Sequence, residues 1–519
     1  MATNNNFISH TKLIYIYLHM KIKYNIISWS LIVILLGYSG LITNSFAQSY
    51  DLVLQGGRVM DPETGLDAIR HVGISGNRIL EISRTPLQGK TVLDVTGLVV
   101  APGFIDLHVH GMTPTAHEYQ VHDGVTTALE LEGGVPFLRE WIENKRGKTI
   151  VNYGASVPHG ILRSLSMDSY KHYFAQAEKI IQSEGLESTQ LDKLMINLGR
   201  ANYQSLTPEE IAVMPTHFER ELAAGALGIG VPVGYYPGAK HGEIFQVYAF
   251  AASNQVPVFS HTRGFGMPGI QEAISNAITT GAPLHIVHAN SLSLGEIQVT
   301  LDMVAAAQTR GLDVTTELYP YTAASTSLES AIFDEGWQEK LGISYGDIQW
   351  EATGERLNAE TFKTYRQKGG VVIIHMMKPE WIKQGLQDPR IMIGSDGMPY
   401  APKAHPRTAG TFSRVLGRYV REEKVLSLMD ALKKMTIMPA RRLEGIAPTM
   451  HLKGRLQVGC DADITIFNPR TVIDQADFTG LRFSAGIEHV LVNGVLVIIN
   501  GNTVPDTYPG QPVLGKYRQ

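Results

Sequence analysis

A chain of 519 residues is too long for one small core and long enough for a barrel with an accessory domain. Its hydrophobic share of 44% and charged share of 18% are those of a globular protein, and a net charge of −4 without basic blocks argues against a nucleic-acid partner. The only cysteine, Cys460, rules out an intrachain disulfide and a Cys-rich zinc site.

The first residues read as targeting. Lys21 and Lys23 precede an apolar run over residues 26–42, and small residues follow at Ser45 and Ala47. This pattern predicts a signal peptide over residues 1–47, cleaved after Ala47, and an exported protein, periplasmic or secreted, with no stable membrane partner after cleavage. The alternative is a retained anchor, since the run is nearly long enough to cross a bilayer. Met20, just before the basic residues, is an alternative start.

Residues 48–100 carry short strands and turns, including a hairpin signal at Gly76-Asn77 between Val72–Ser75 and Arg78–Ile82. Residues 441–519 read the same way, with a strand at Asp463–Phe467 and a second hairpin at Asn493-Gly494. Each end is too small to bury a core alone, so the two predict one small β-sandwich domain built from both termini. Between them, residues 101–440 alternate apolar runs (Phe104–Val109, Thr127–Leu131, Ala226–Val231, Val256–Ser260, Leu284–His288, Val371–Ile374, Ile391–Gly394) with helix-like stretches such as Met214–Ala224, Gln271–Thr279 and Leu426–Met435. About seven or eight such units predict an α/β fold, a closed (β/α)8 TIM-type barrel. The stretch from Ser325 to Gly369 is too long for a bare loop and is expected to carry its own helices.

The sharpest local pattern is Ala101-Pro102-Gly103-Phe104-Ile105-Asp106-Leu107-His108-Val109-His110. Strand alternation turns His108 and His110 to the same face, and a barrel strand ends where such folds do chemistry. Alone, His-x-His is a weak metal signal. Here three more apolar runs stop at a polar group: Val256–Ser260 at His261, Leu284–Val287 at His288, and Ile391–Ser395 at Asp396. Imidazoles and a carboxylate converging on one rim suit zinc, whereas a core histidine is single and mid-strand. By parity His285 faces away from His288. His375, after Val371–Ile374, is ambiguous.

The sequence resembles the amidohydrolase superfamily over nearly the whole mature chain, and within it the D-aminoacylase group of N-acyl-D-amino-acid deacylases, including those acting on N-acyl-D-glutamate. The segments that carry the resemblance are Gly225-Ala226-Leu227-Gly228 with Tyr236-Pro237-Gly238, His261-Thr262-Arg263, Leu318-Tyr319-Pro320-Tyr321-Thr322-Ala323, Gly394-Ser395-Asp396-Gly397, and His405-Pro406-Arg407 running into Gly410-Thr411-Phe412. The resemblance implies the barrel, the small sandwich, one or two Zn2+ ions per subunit, and hydrolysis of a small N-acyl amino acid by a metal-activated water. Two positions depart from the family. Where members carry a Cys ligand after the second strand, this chain has Glu130-Leu131-Glu132-Gly133-Gly134, and Glu132 is expected to take over, with Glu130 as its competitor. Where members often carry a Lys, this chain has Asn290.

These readings assign metal ligation to His108, His110, Glu132, His261, His288 and Asp396, and proton transfer to Asp396. Substrate contacts fall to Arg407, whose planar fork suits a carboxylate, and to Arg263, Tyr236, Tyr319, Ser325 and Asn290. The alternatives are a cyclic-amide hydrolase (dihydroorotase- or hydantoinase-like) or dipeptidase of the same superfamily, and a secreted binding protein without catalysis. The former often use a carboxylated lysine, and Gly228–Pro232 offers none. The intact set of histidines and Asp396 argues against the latter.

Overall fold

The computed structural model describes residues 49–519; the expected signal peptide, residues 1–47, lies outside the described residues. Eight parallel strands form the barrel, β1–β8 in chain order. They are β1 (Phe104–Asp106), β2 (Val125–Glu130), β3 (Asn152–Ala155, resuming after Ser156 as Val157–Pro158) and β4 (Ile229–Pro232), then β5 (Val258–His261), β6 (Leu284–Ile286), β7 (Val314–Leu318) and β8 (Ile391–Ile393). Each pairs with the next. The ring closes just past the ends of β8 and β1. Val109 bridges Gly397 in parallel, the Asp396 amide donates to the His108 carbonyl at 2.7 Å, and the His110 amide donates to the Gly397 carbonyl at 2.7 Å. These strands are buried almost throughout, as barrel strands between an inner core and an outer helix layer must be.

The outer helices have readable ends. Pro208–Ala224 starts with a capping box from Thr207 and Glu210, has Pro208 in its first turn, and stops at Gly225, whose φ of 109° places it in the left-handed region. Met267–Thr280 covers the expected Gln271–Thr279, and Leu428–Met435 falls within the expected Leu426–Met435, starting after its cap Ser427.

The barrel differs from the sequence reading in three strands. Asn152–Pro158 and Val314–Leu318 are barrel strands that the reading passed over. Val371–Ile374 is not one: Val371–His375 is the central strand of a separate three-stranded antiparallel sheet, flanked by Ala323–Ser327 and Ile348–Trp350. A short apolar run fits either setting, because periodicity does not distinguish two kinds of fully covered strand. This sheet, with the helices Trp337–Leu341 and Ala359–Lys368, fills the long excursion between β7 and β8. A helical excursion over His159–Tyr203 lies between β3 and β4.

Both termini join in one hydrogen-bonded network of nine strands, in which Val99–Pro102 pairs antiparallel with Ile464–Phe467. The two predicted hairpins are present, closing at Ser75↔Arg78 and Val492↔Val495. Leu54, Val59, Val72, Val100, Ile464 and Leu491 form their shared core.

Candidate metal centre

Six side chains delivered by strand ends meet at the C-terminal rim of the barrel. His108 and His110 follow β1, Glu132 follows β2, His261 closes β5, His288 follows β6 and Asp396 follows β8. Two of these positions lie in left-handed backbone that few non-glycine residues adopt, His288 at φ 29° and Asp396 at φ 50°. Such conformations persist where the surroundings hold them and cluster at functional sites. Here the His108 carbonyl holds the Asp396 amide.

The donor atoms form two groups that share Glu132. In the first, Glu132 Oε2 lies 2.9 Å from His108 Nε2 and 3.0 Å from His110 Nε2, while Asp396 Oδ1 lies 3.5 and 3.4 Å from the same two nitrogens. In the second, Glu132 Oε1 lies 2.8 Å from His261 Nδ1 and 3.6 Å from His288 Nε2. Zinc bonds of about 2.1 Å at tetrahedral angles separate neighbouring donors by about 3.4 Å, so both groups have the spacing of a ligand shell. Their charge fits as well. Burial opposes charge on His108 and His110, yet Asp396, Glu132 and Glu130 hold both imidazoles well above the usual range. The carboxylates therefore call for positive charge at this point, which a divalent ion supplies.

Glu132 and Glu130 occupy different places. Glu132 presents both oxygens to the imidazoles, whereas Glu130 bonds the far side of His110, Oε2 to Nδ1 at 2.8 Å, and accepts the Gly133 amide at 2.9 Å. Glu132 is the acid placed to bridge two ions; Glu130 orients a histidine.

The predicted substrate contacts divide. Arg407 is buried beside the centre. Its Nη1 pairs with Asp396 Oδ2 at 2.8 Å, its Nη2 donates to the Ser325 carbonyl at 3.3 Å, its guanidinium lies 4.5 Å over the Tyr319 ring, and its Nε has no protein acceptor. The hydroxyls of Tyr319 and Ser325 are likewise buried without partners. Asn290 donates from its amide nitrogen to the Tyr319 carbonyl at 3.1 Å, and its Oδ1 is unpartnered. Arg263 corrects the expectation: Glu272 at 2.9 Å and the Ala239 carbonyl at 2.6 Å consume its guanidinium. Tyr236 places its hydroxyl against Gly160, where a side-chain carbon would meet it at 1.9 Å. Its neighbour Tyr235 is the ring packed on the centre, 4.9 Å from His261, with its hydroxyl 3.0 Å from Thr326 Oγ1. His375 belongs to the separate sheet, with Nε2 at 3.1 Å from Gln349. Sequence reasoning also missed Glu317, since an acid inside a strand carries no strand-end signature.

A closed parallel barrel with a carboxylate-bridged histidine cluster at its C-terminal rim defines the class of metal-dependent barrel hydrolases. The amidohydrolase family model matches residues 143–498, and the chain belongs to that family. It is similar to two proteins of Alcaligenes xylosoxydans xylosoxydans. One is an N-acyl-D-glutamate deacylase, 30% identical, with 87% of this chain and 94% of the relative covered. The other is a D-aminoacylase, also 30% identical, with 88% and 96% covered. Among solved structures, an N-acyl-D-glutamate deacylase from Bordetella bronchiseptica, complexed with zinc and a phosphonate inhibitor, superposes with a TM-score of 0.75 at 25% identity, covering 90% of this chain and 100% of that one.

Proposed function

We propose that this chain is a zinc-dependent deacylase that hydrolyses N-acyl-D-amino acids bearing uncharged side chains. The observation that carries the reading is Glu132 joining two histidine groups beside the Asp396–Arg407 pair. The D-amino acid preference comes from the relatives, whose names give D-aminoacylase, N-acyl-D-glutamate deacylase and N-acyl-D-aspartate deacylase activities.

Zinc at these donors polarises the scissile carbonyl and lowers the pKa of water. The chain supplies the rest. Asp396 is buried, which raises its pKa, but Arg407 and His108 outweigh burial and hold it well below the usual carboxylate range. It is thus ionised at rest and ready to take a proton from water at a carboxylate oxygen and return it to the leaving nitrogen. Arg407 offers its unpartnered Nε to the carboxylate of the amino acid.

What supports an uncharged side chain is a cavity of about 330 Å³ lined in part by Tyr235 and Thr326. Tyr203, Ser327, Ser330 and Glu329 share its lining, which contains no Lys or Arg among the described residues. A second substrate carboxylate placed there meets Glu329 and no cation. A cyclic-amide hydrolase remains the second reading, but β4, Ile229–Pro232, supplies no lysine to carboxylate.

A panel of N-acetyl amino acids tests the proposal. D-methionine and D-leucine derivatives are expected to be hydrolysed with kcat/KM at least tenfold above those of D-glutamate and D-aspartate, and the L-isomers to be inert. Equal turnover of acidic and neutral substrates overturns the side-chain assignment; turnover of cyclic amides alone overturns the deacylase.

A further inference from the structure

Glu317 is given no task by the mechanism above, yet it lies inside the barrel at 1% exposure. It stands on β7, directly under the donor cluster. Its Oε1 lies 2.6 Å from His108 Nδ1, and its Oε2 lies 3.3 Å from His285 Nε2. His285 in turn places Nδ1 at 2.9 Å from Thr315 Oγ1. The adjoining backbone leaves room for this acid: a side-chain carbon at Gly394 would fall 2.4 Å from Glu317 Oε2. His285 is the histidine that strand parity turned away from the site. Parity fails because β6 ends at Ile286 and His288 lies beyond it in a left-handed turn.

The chemistry of the groups sets the direction of the bond to His108. A carboxylate oxygen accepts, so His108 Nδ1 carries the hydrogen that it gives to Glu317 Oε1 at 2.6 Å. His285 packs beneath Glu317 with Nδ1 at 2.9 Å from Thr315 Oγ1, whose hydroxyl donates to the Leu284 carbonyl at 3.4 Å. With one hydrogen held on Nδ1, it is Nε2 of His108 that faces Glu132 and Asp396, where an ion would take the place of its proton. We infer that Glu317, buried inside the barrel, fixes the tautomer and aim of His108 and is its positioning residue. This support reaches one side of the centre. Neither His261 nor His288 bonds Glu317: His288 is held instead through Nδ1 by Ser291 at 3.0 Å. The inference rests on the reading of the cluster as a metal centre.

The test is a two-step titration of metal-stripped full-length protein with zinc in competition with a chromophoric chelator. Outer-shell partners of ligating histidines set metal affinity by about 10–100-fold. Glu317→Gln is therefore expected to weaken the ion held by His108, His110 and Asp396 by that factor and to leave the ion held by His261 and His288 unchanged. Glu317→Asp, which keeps a carboxylate on a shorter arm, is expected to weaken the same ion by a smaller factor. General damage to the fold would weaken both ions alike, and that result overturns the positioning role of Glu317, as does wild-type affinity in both variants. Wild-type protein that takes up no zinc overturns the metal reading and the positioning role with it.

Discussion

Arg407 shows how much one side chain carries at this centre. Sequence reasoning gave it the substrate carboxylate alone, but the structure also pairs it with Asp396. Its removal acts twice, because it strips the substrate of a charge-assisted partner and leaves Asp396 buried without its cation. Arg407→Ala is expected to lower kcat on every substrate, through Asp396, and to cost a further tenfold or more in kcat/KM for free carboxylates than for matched carboxamides, since such a bond contributes about 1.5–3 kcal/mol. Steady-state kinetics on the two substrate types measures both effects, and equal losses on the two would confine Arg407 to supporting Asp396. The residues that cluster at the rim were legible because each polar group stands where an apolar run stops. Glu317 and Tyr235 were not. Glu317 interrupts the strand Val314–Leu318 from within, and Tyr235 is one of two adjacent tyrosines whose facing depends on the short turn Val233–Tyr235.

At the scale of elements, the walls of the site depend on buried pairs that tie helices together. Glu243, on helix His241–Ser253, accepts from Arg163 of helix His159–Ser166 at 2.7 Å and lies 3.1 Å from His159 Nε2. This joins the excursion after β3 to the helix that follows β4, on either side of Tyr236. Burial raises the pKa of Glu243, but the bonds from His159 and Arg163 prevail and bring it down to about 2. A folded-state pKa below the unfolded value near 4.3 means that the pair stabilises the fold fully above that pH and loses its contribution as pH falls toward 2. Glu243→Gln is expected to cost about 3–5 kcal/mol at pH 7, by leaving Arg163 buried and uncompensated, and to cost progressively less below pH 4. Urea denaturation at the two pH values checks this; a pH-independent difference would refute it. The same scale explains which strands were read. Runs such as Val256–Phe259 are wholly apolar and stand out. Asn152–Ala155, Asn-Tyr-Gly-Ala, is no aliphatic run: the C-terminal tail packs on it, the Tyr153 amide donating to the Gln511 carbonyl, and Asn152 bonds Asp463 and Asn493. Val314–Leu318 carries Thr315 and Glu317 because its polar residues serve the histidines.

Over the whole molecule, closure of the barrel and assembly of the centre are one event. The bonds that join β8 to the chain after β1, Asp396 amide to His108 carbonyl and His110 amide to Gly397 carbonyl, are made by the donors themselves or their immediate neighbours. The nine-stranded network of the two termini pins Val99–Pro102, and the chain passes directly from that strand into β1, which leads to His108 and His110. Both hairpins of that domain were legible from their Gly-Asn and Asn-Gly turns, since two-residue connections demand backbone those residues adopt readily. The central claim is that the cluster built on Glu132 holds the ion on which catalysis depends. The most direct measurement is metal content and turnover of N-acetyl-D-methionine on the same sample, before chelation, after chelation and after zinc is returned. The account predicts one or two zinc ions per chain, loss of turnover with the metal, and recovery on its return; full turnover by metal-free protein would contradict it.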